Sequence, residues 1–470
     1  MSAKLFAPDV TLTFDELEQR ALCAADVLRD HGLGLGDRVL LKVDNSVSYL
    51  STLLALMHVG ASVVLVDHQQ KSDDTAQACS RSSVKMVIVD DDAPISNDQE
   101  IVHCYELAVG ACGREPVDSA LDFSAWCALP DSIIMWSSGS TGEPKGVVKN
   151  GGRFLKNLRR NADLVGHRSD DVLLPLLPFN HQYGISMVLI AWLVRCSLVI
   201  APYRRLDRAL RLAGMVGATV VDATPATYKS ILNIVDRRSA FVGSFSDVRM
   251  LCSGAAPLDP ALSRQAFEVY GMPLLDSYGS TEMGNVAFAT PDNPVGTGQP
   301  VEGMSVRIRG EDGAELPAGQ IGEIEVLDPD LMEGYLGPQG TVTPVAREWY
   351  ATNDFGYLDA DGNLFVAGRK TAVHRNGYTL HPEIIEHTLA AQGCVAMIVA
   401  LPCERRGSTL VFYVEDEQKR DSAHWRELIN GVLPKYEQPN RVHVIERFPL
   451  NRNGKPNRKE LEQLALAEAQ

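Results

Sequence analysis

Apolar and polar positions along this chain alternate between two rhythms. Behind Thr13-x-x-Glu16, a capping-box pattern, Leu17, Ala21, Ala24 and Leu28 recur at helical spacing, and Gly32 closes the stretch. Arg38 to Val43 then reads as a strand, Tyr49 to Val59 as a helix and Ser62 to Val66 as a strand. Further short apolar runs at Lys85 to Val89, Ser197 to Ile200, Thr219 to Val221 and Arg249 to Leu251 read as strands, and Ile185 to Val194 as a buried helix. Strands separated by helices predict parallel α/β sheets. No fixed-period repeat is visible.

The texture changes after about residue 290, where Gly and Pro become frequent and short strands (Ser305 to Arg309, Gly322 to Val326) predict a small β-rich module. It changes again near Gly368-Arg369-Lys370. Pro382 to Leu389, Ala396 to Leu401, Thr409 to Val414 and Trp425 to Leu433 then alternate helix and strand, enough for a small α+β domain. The expected division is residues 1–368 and residues 369–470.

Composition narrows the picture. A chain of 470 residues is too long for one ordinary core, and its 45% hydrophobic and 22% charged content is that of a globular protein. A formal charge of −16 argues against a nucleic-acid or anionic-membrane binder, while leaving room for a local phosphate site. Nine scattered cysteines without a CxxC pair fit reduced thiols in the cytoplasm. The N-terminus lacks a long apolar signal core, and the longest apolar run falls short of the ~20 residues of a membrane helix.

The richest local chemistry lies in Ser137-Ser138-Gly139-Ser140-Thr141-Gly142-Glu143-Pro144-Lys145-Gly146. Hydroxyls, glycine amides and a lysine in one short loop suit a polyphosphate. The apolar run Ile133 to Trp136 feeds this loop and Val147-Val148 follows it, so it is expected between strands rather than as a flexible Ser/Gly linker. No Gly-Lys-Ser/Thr closes it, which excludes a Walker loop and an ordinary P-loop NTPase.

Other motifs follow in order: His181 in Pro178-Phe179-Asn180-His181-Gln182-Tyr183-Gly184, then Ser253-Gly254-Ala255-Ala256-Pro257, Tyr278-Gly279-Ser280-Thr281-Glu282, Thr352-Asn353-Asp354, Gly368-Arg369 and Gly454-Lys455. Together they resemble the adenylate-forming superfamily of acyl- and aryl-CoA synthetases, nonribosomal peptide synthetase adenylation domains and beetle luciferases. The resemblance runs from Thr13 to Lys455. It implies a large N-terminal domain of two α/β sheet subdomains and a small β-rich one, followed by a mobile α+β domain. It also implies a two-step reaction: a carboxylate attacks the α-phosphate of ATP, and a nucleophile then displaces AMP.

On this resemblance Ser137, Ser138, Gly139, Ser140, Thr141, Gly142 and Lys145 hold the β- and γ-phosphates. Thr281 meets the α-phosphate and Glu282 ligates Mg²⁺, although Thr-Glu alone also fits a helix N-terminus. Tyr278 stacks on adenine, unless it is a core tyrosine, with the Gly254-Ala255 backbone on the other face. Asp354 and Arg369 take the ribose. Lys455 bridges the attacking carboxylate and the phosphate, where charge builds up in the transition state. His181 gates the acid pocket, with a satisfied core histidine as the alternative.

The acid pocket is expected from Tyr183, Gly184, Met187, Ser253, Ala256 and Ser277, within walls at Tyr183 to Met187, Asp222 to Tyr228, Ser253 to Ala256 and Asn285 to Thr290. No carboxylate stands where family members pair an α-ammonium, so an aryl or short-to-medium acyl acid is expected. The family hinge falls at Thr371, where Asp or Lys is usual, and the glycine-bearing hairpin at Gly377 is about one residue short. These departures touch only the second half-reaction. CoA is the leading acceptor; a carrier protein's phosphopantetheine or an amine is the alternative, with no carrier domain fused after Lys455. A non-catalytic nucleotide-binding protein is a third reading, opposed by the intact Thr281, Glu282, Asp354 and Lys455.

Overall fold

The computed structural model describes residues 3–95, 100–138, 144–369, 373–375, 378–403, 407–451 and 456–468. Two large sheets dominate it. One orders its strands as Gln299–Pro300, Gly284–Phe288, Leu274–Ser280, Met250–Ser253, Val220–Ala223, Val172–Pro175, Ser197–Val199, Lys4–Phe6 and Thr11–Thr13. The other orders Val342–Pro344, Gly334–Leu336, Pro144–Lys149, Ile133–Ser138, Ser62–Leu65, Arg38–Lys42, Met86–Val89 and Glu100–His103.

Strand alternation explains why the sheets stack. Val39, Leu41, Val63 and Leu65 of one sheet share a buried cluster with Leu173, Leu198, Val220 and Met250 of the other. The helices Phe14–Asp30, Val47–Val59, Gly151–Val165 and Gln182–Val194 fill the space between them. The neighbouring residues face outward. Leu174, Val199, Val221 and Leu251 meet the helices Leu206–Val216, Pro225–Arg237 and Pro260–Tyr270, while Leu40, Val64 and Val87 meet Ser72–Ser82.

The capping box at Thr13 forms in both directions: Thr13 accepts from the Glu16 amide and Glu16 from the Thr13 amide. The expected β-rich module is a four-stranded antiparallel sheet of Ser305–Arg309, Gly322–Leu327, Tyr350–Leu358 and Leu364–Arg369. Beyond it, Ala396–Cys403, Gly407–Glu415 and Arg441–Ile445 form a separate sheet. Pro382–Ala390 and Ser422–Val432 cover one face and Arg458–Ala467 the other. Among the described residues no disulfide links the nine cysteines, and no helix is long and apolar enough to cross a membrane.

Candidate active site

The strands Val172–Pro175, Val220–Ala223, Met250–Ser253 and Leu274–Ser280 run parallel, and most of the candidate residues of this sheet lie at their carboxyl ends. This is where open α/β sheets bind ligands. Ser253 is buried, and its carbonyl accepts from the Ser277 hydroxyl at 2.8 Å. A Cβ on Gly254 would stand 2.4 Å from Ser277 Oγ and 3.1 Å from Tyr183 Cε1, so a side chain here would displace the Ser277 hydroxyl that bonds Ser253. Ala255 beside it takes φ +68°, a strained conformation for a residue with a Cβ. Tyr183, Gly254, Ser253 and Ser277 are therefore brought together. Gly184 packs against the Pro178 backbone, Met187 lies in the inter-sheet core and Ala256 is half-buried.

Tyr183 also donates to Asp222 at 2.9 Å. Burial pushes the Asp222 carboxyl up to about 7, against the pull of the Tyr183 hydroxyl. Asp222 belongs to the expected wall, but its pairing with Tyr183 has no signal in the sequence. His181 occupies the N-cap position of Gln182–Val194 and is half-buried.

Tyr278 is 7% exposed within an apolar cluster, and its hydroxyl donates to Asp354 at 2.6 Å. Thr352 is buried; its hydroxyl donates to the Ile324 carbonyl and accepts from the Asp354 amide at 3.0 Å. Asp354 stands opposite Arg369 in the strand pair, so the two expected ribose residues are register neighbours.

Thr281 and Glu282 sit in the turn between the antiparallel strands Leu274–Ser280 and Gly284–Phe288, not at a helix start. Gly284 takes φ +83° to close that turn. The strands Ile133–Ser138 and Pro144–Lys149 pair with Ser137 opposite Lys145 and Ser138 opposite Pro144, confirming that strands flank the loop. Gly139, Ser140, Thr141, Gly142, Thr371, Gly377 and Lys455 lie outside the described residues.

Three residues missed by the sequence reading join these parts. Tyr335 lies beneath Lys145, whose Nζ is 5.2 Å from its ring centroid. Its hydroxyl approaches Glu282 Oε1 at 3.5 Å and Tyr350 at 3.1 Å. Lys149 is buried, and its Nζ donates to the Thr281 carbonyl at 3.2 Å. Burial pushes the Lys149 ammonium down to about 8, while Asp328, Glu282 and Asp330 pull it back up. Glu282 is half-buried, and its carboxylate oxygens suit Mg²⁺, a hard cation that shares its coordination between carboxylate and phosphate.

The parallel-sheet edge, the tyrosine-held aspartate and the loop-bearing strand pair define a nucleotide-handling α/β enzyme. The chain belongs to the AMP-binding enzyme family: the family model matches residues 3–336, and that of the AMP-binding enzyme C-terminal domain matches residues 384–455. It is 26% identical over 463 residues to a 2-succinylbenzoate–CoA ligase of Bacillus cereus, covering 96% of this chain and 94% of that one. It is 27% identical over 489 residues to a 4-coumarate–CoA ligase of Pinus taeda, covering 97% and 90%. The fold matches ATP-bound MatB from Rhodopseudomonas palustris with a TM-score of 0.85 at 24% identity, over 98% of this chain and 96% of that one.

Proposed function

We propose that this enzyme activates an aryl or short-to-medium acyl carboxylic acid with ATP and transfers the acyl group to the thiol of CoA. The observation that carries the reading is the set of contacts gathered on the segment Tyr278 to Glu282. Tyr335 contacts both Lys145 of the loop-bearing strand and Glu282, Lys149 reaches Thr281, and Tyr278 holds Asp354. The two CoA ligase relatives support CoA as acceptor.

In the first step a carboxylate oxygen of the acid attacks the α-phosphorus. The bond to the bridging oxygen breaks, and pyrophosphate leaves with the electron pair. Asp354 accepts the ribose hydroxyls and Tyr278 fixes its carboxylate. Tyr278 also presents its ring to adenine, opposite the Gly254-Ala255 backbone. The loop through Gly139, Ser140, Thr141 and Gly142 cradles the leaving pyrophosphate, with Lys145 at its exit strand. Thr281 donates to the α-phosphate, and Glu282 is the protein ligand for Mg²⁺, which supplies charge neutralisation when bound. Lys455 approaches both reactants and stabilises the charge between them.

In the second step the CoA sulfur attacks the acyl carbon, the carbon–oxygen bond to AMP breaks, and the thiol proton passes to solvent. His181 and Gly377 are the residues assigned to the thiol's entry. We place the domain boundary at 368/369 and the hinge at Thr371. In support, the two family models leave residues 337–383 between them, and the last strand of the four-stranded sheet ends at Arg369.

Preformed adenylate, offered CoA, a phosphopantetheinylated carrier protein or an amine, tests the acceptor. CoA is expected to accelerate AMP release; no acceleration by CoA, with acceleration by either alternative, overturns the assignment.

A further inference from the structure

Lys149 is among the largest fully buried side chains of the protein, in a position where a lysine is costly. It ends the strand that leaves the phosphate loop, and its Nζ crosses to the Thr281 carbonyl, 132 residues away in sequence. A Cβ on Gly284 would lie 3.2 Å from the same Nζ, so the ammonium fills the space beneath the turn. The charges of Asp328, Glu282 and Asp330 act on it. Asp330 is also engaged by Arg160 at 2.6 Å, whereas Asp328 Oδ2 is buried with no hydrogen-bond partner among the described residues. Asn157 braces the far side of the turn, donating to the Asn285 carbonyl at 2.9 Å and accepting from its amide at 3.0 Å.

An apolar side chain of similar length would pack here without charge desolvation. The ammonium is explained by what it holds. A trans peptide is planar, so fixing the Thr281 carbonyl toward Lys149 turns the Glu282 N–H the opposite way and sets the plane from which both side chains depart. We propose that Lys149 is a positioning residue for acid activation, a buried cation that locks the Thr281–Glu282 peptide to the strand carrying the phosphate loop. The inference rests on the function proposed above. It assigns Lys149 no contact with substrate; it acts through the orientation of Glu282 and Thr281.

Lys149→Met keeps the length and removes the charge. Two readouts separate positioning from simple stability: the Mg²⁺ concentration for half-maximal acid-dependent ATP–pyrophosphate exchange, and the Mg²⁺ dependence of thermal stabilisation by ATP without acid. Lys149→Met is expected to raise both Mg²⁺ midpoints at least roughly 5-fold and lower exchange kcat roughly 10-fold or more, leaving the KM for the acid within about 2-fold. Unchanged Mg²⁺ midpoints in a folded variant overturn the inference, even if the melting temperature falls. If Lys149→Met does not fold, Lys149→Met/Asp328→Asn removes the stranded carboxylate as well, and the same criteria apply. A wild-type protein without acid-dependent exchange overturns the parent reading instead.

Discussion

Asp354 shows how much one side chain depends on its neighbours. Its carboxylate is useful to a ribose only if it stays ionised and aimed, and Tyr278 and Thr352 supply the aim. Tyr278→Phe removes the 2.6 Å bond and is expected to raise the KM for ATP roughly 3- to 10-fold with a smaller change in kcat, checked by steady-state exchange kinetics. Lys455→Ala removes the proposed bridge between two anions, and exchange is expected to fall by a factor equivalent to roughly 3–4 kcal/mol. Motif residues of this kind were legible because each carries a distinctive chemistry at fixed spacing. Lys149, Tyr335 and the Asp222–Tyr183 pair were not. A buried lysine and a surface lysine read alike in sequence, and the partners of Lys149 and Tyr335 come from distant elements.

At the scale of elements, caps and turns decide where strands and helices stop. Asp416 follows the strand Gly407–Glu415 and gathers donors from the Gln418 and Arg420 amides, the Arg420 guanidinium and Trp425 Nε1. The Arg420 hydrogen bond, opposed by burial and aided by the other donors, holds its carboxyl well below the usual carboxylate range. A carboxylate depressed in the folded state stabilises above its unfolded pKa of about 3.9, and that stabilisation is lost as pH falls below it. Asp416→Asn is therefore expected to cost roughly 1–3 kcal/mol at pH 7, narrowing below about pH 3, measured by urea melts at both values. Thr13 and Glu16 announced their helix in sequence because a capping box is local. The Thr281–Glu282 turn did not: a threonine followed by glutamate fits a helix cap equally well, and only pairing with Gly284–Phe288 decides against it.

At the scale of the whole molecule, the alternation of strand and helix foretold the α/β architecture, the β-rich module and the small terminal unit. The strand order did not follow from the pattern, since it depends on which distant strands bury each other's faces. Several contacts join the large and small parts, among them Phe355 against the His381 ring and Lys229 of the helix Pro225–Arg237, which reaches Glu415 at 2.6 Å. A rotation of the terminal part would break that pair. Lys229→Ala is expected to leave pyrophosphate exchange within about 2-fold while trypsin cleaves at Arg369–Lys370 roughly 2- to 5-fold faster. Unchanged cleavage would remove the pair from any part in domain placement. The central claim concerns the bond broken in ATP, and acid-dependent ATP–pyrophosphate exchange across a panel of carboxylic acids tests it most directly. The expected result is exchange with at least one aryl or acyl acid, abolished in Lys455→Ala; cleavage of ATP to ADP and phosphate, or exchange that survives in Lys455→Ala, would contradict it.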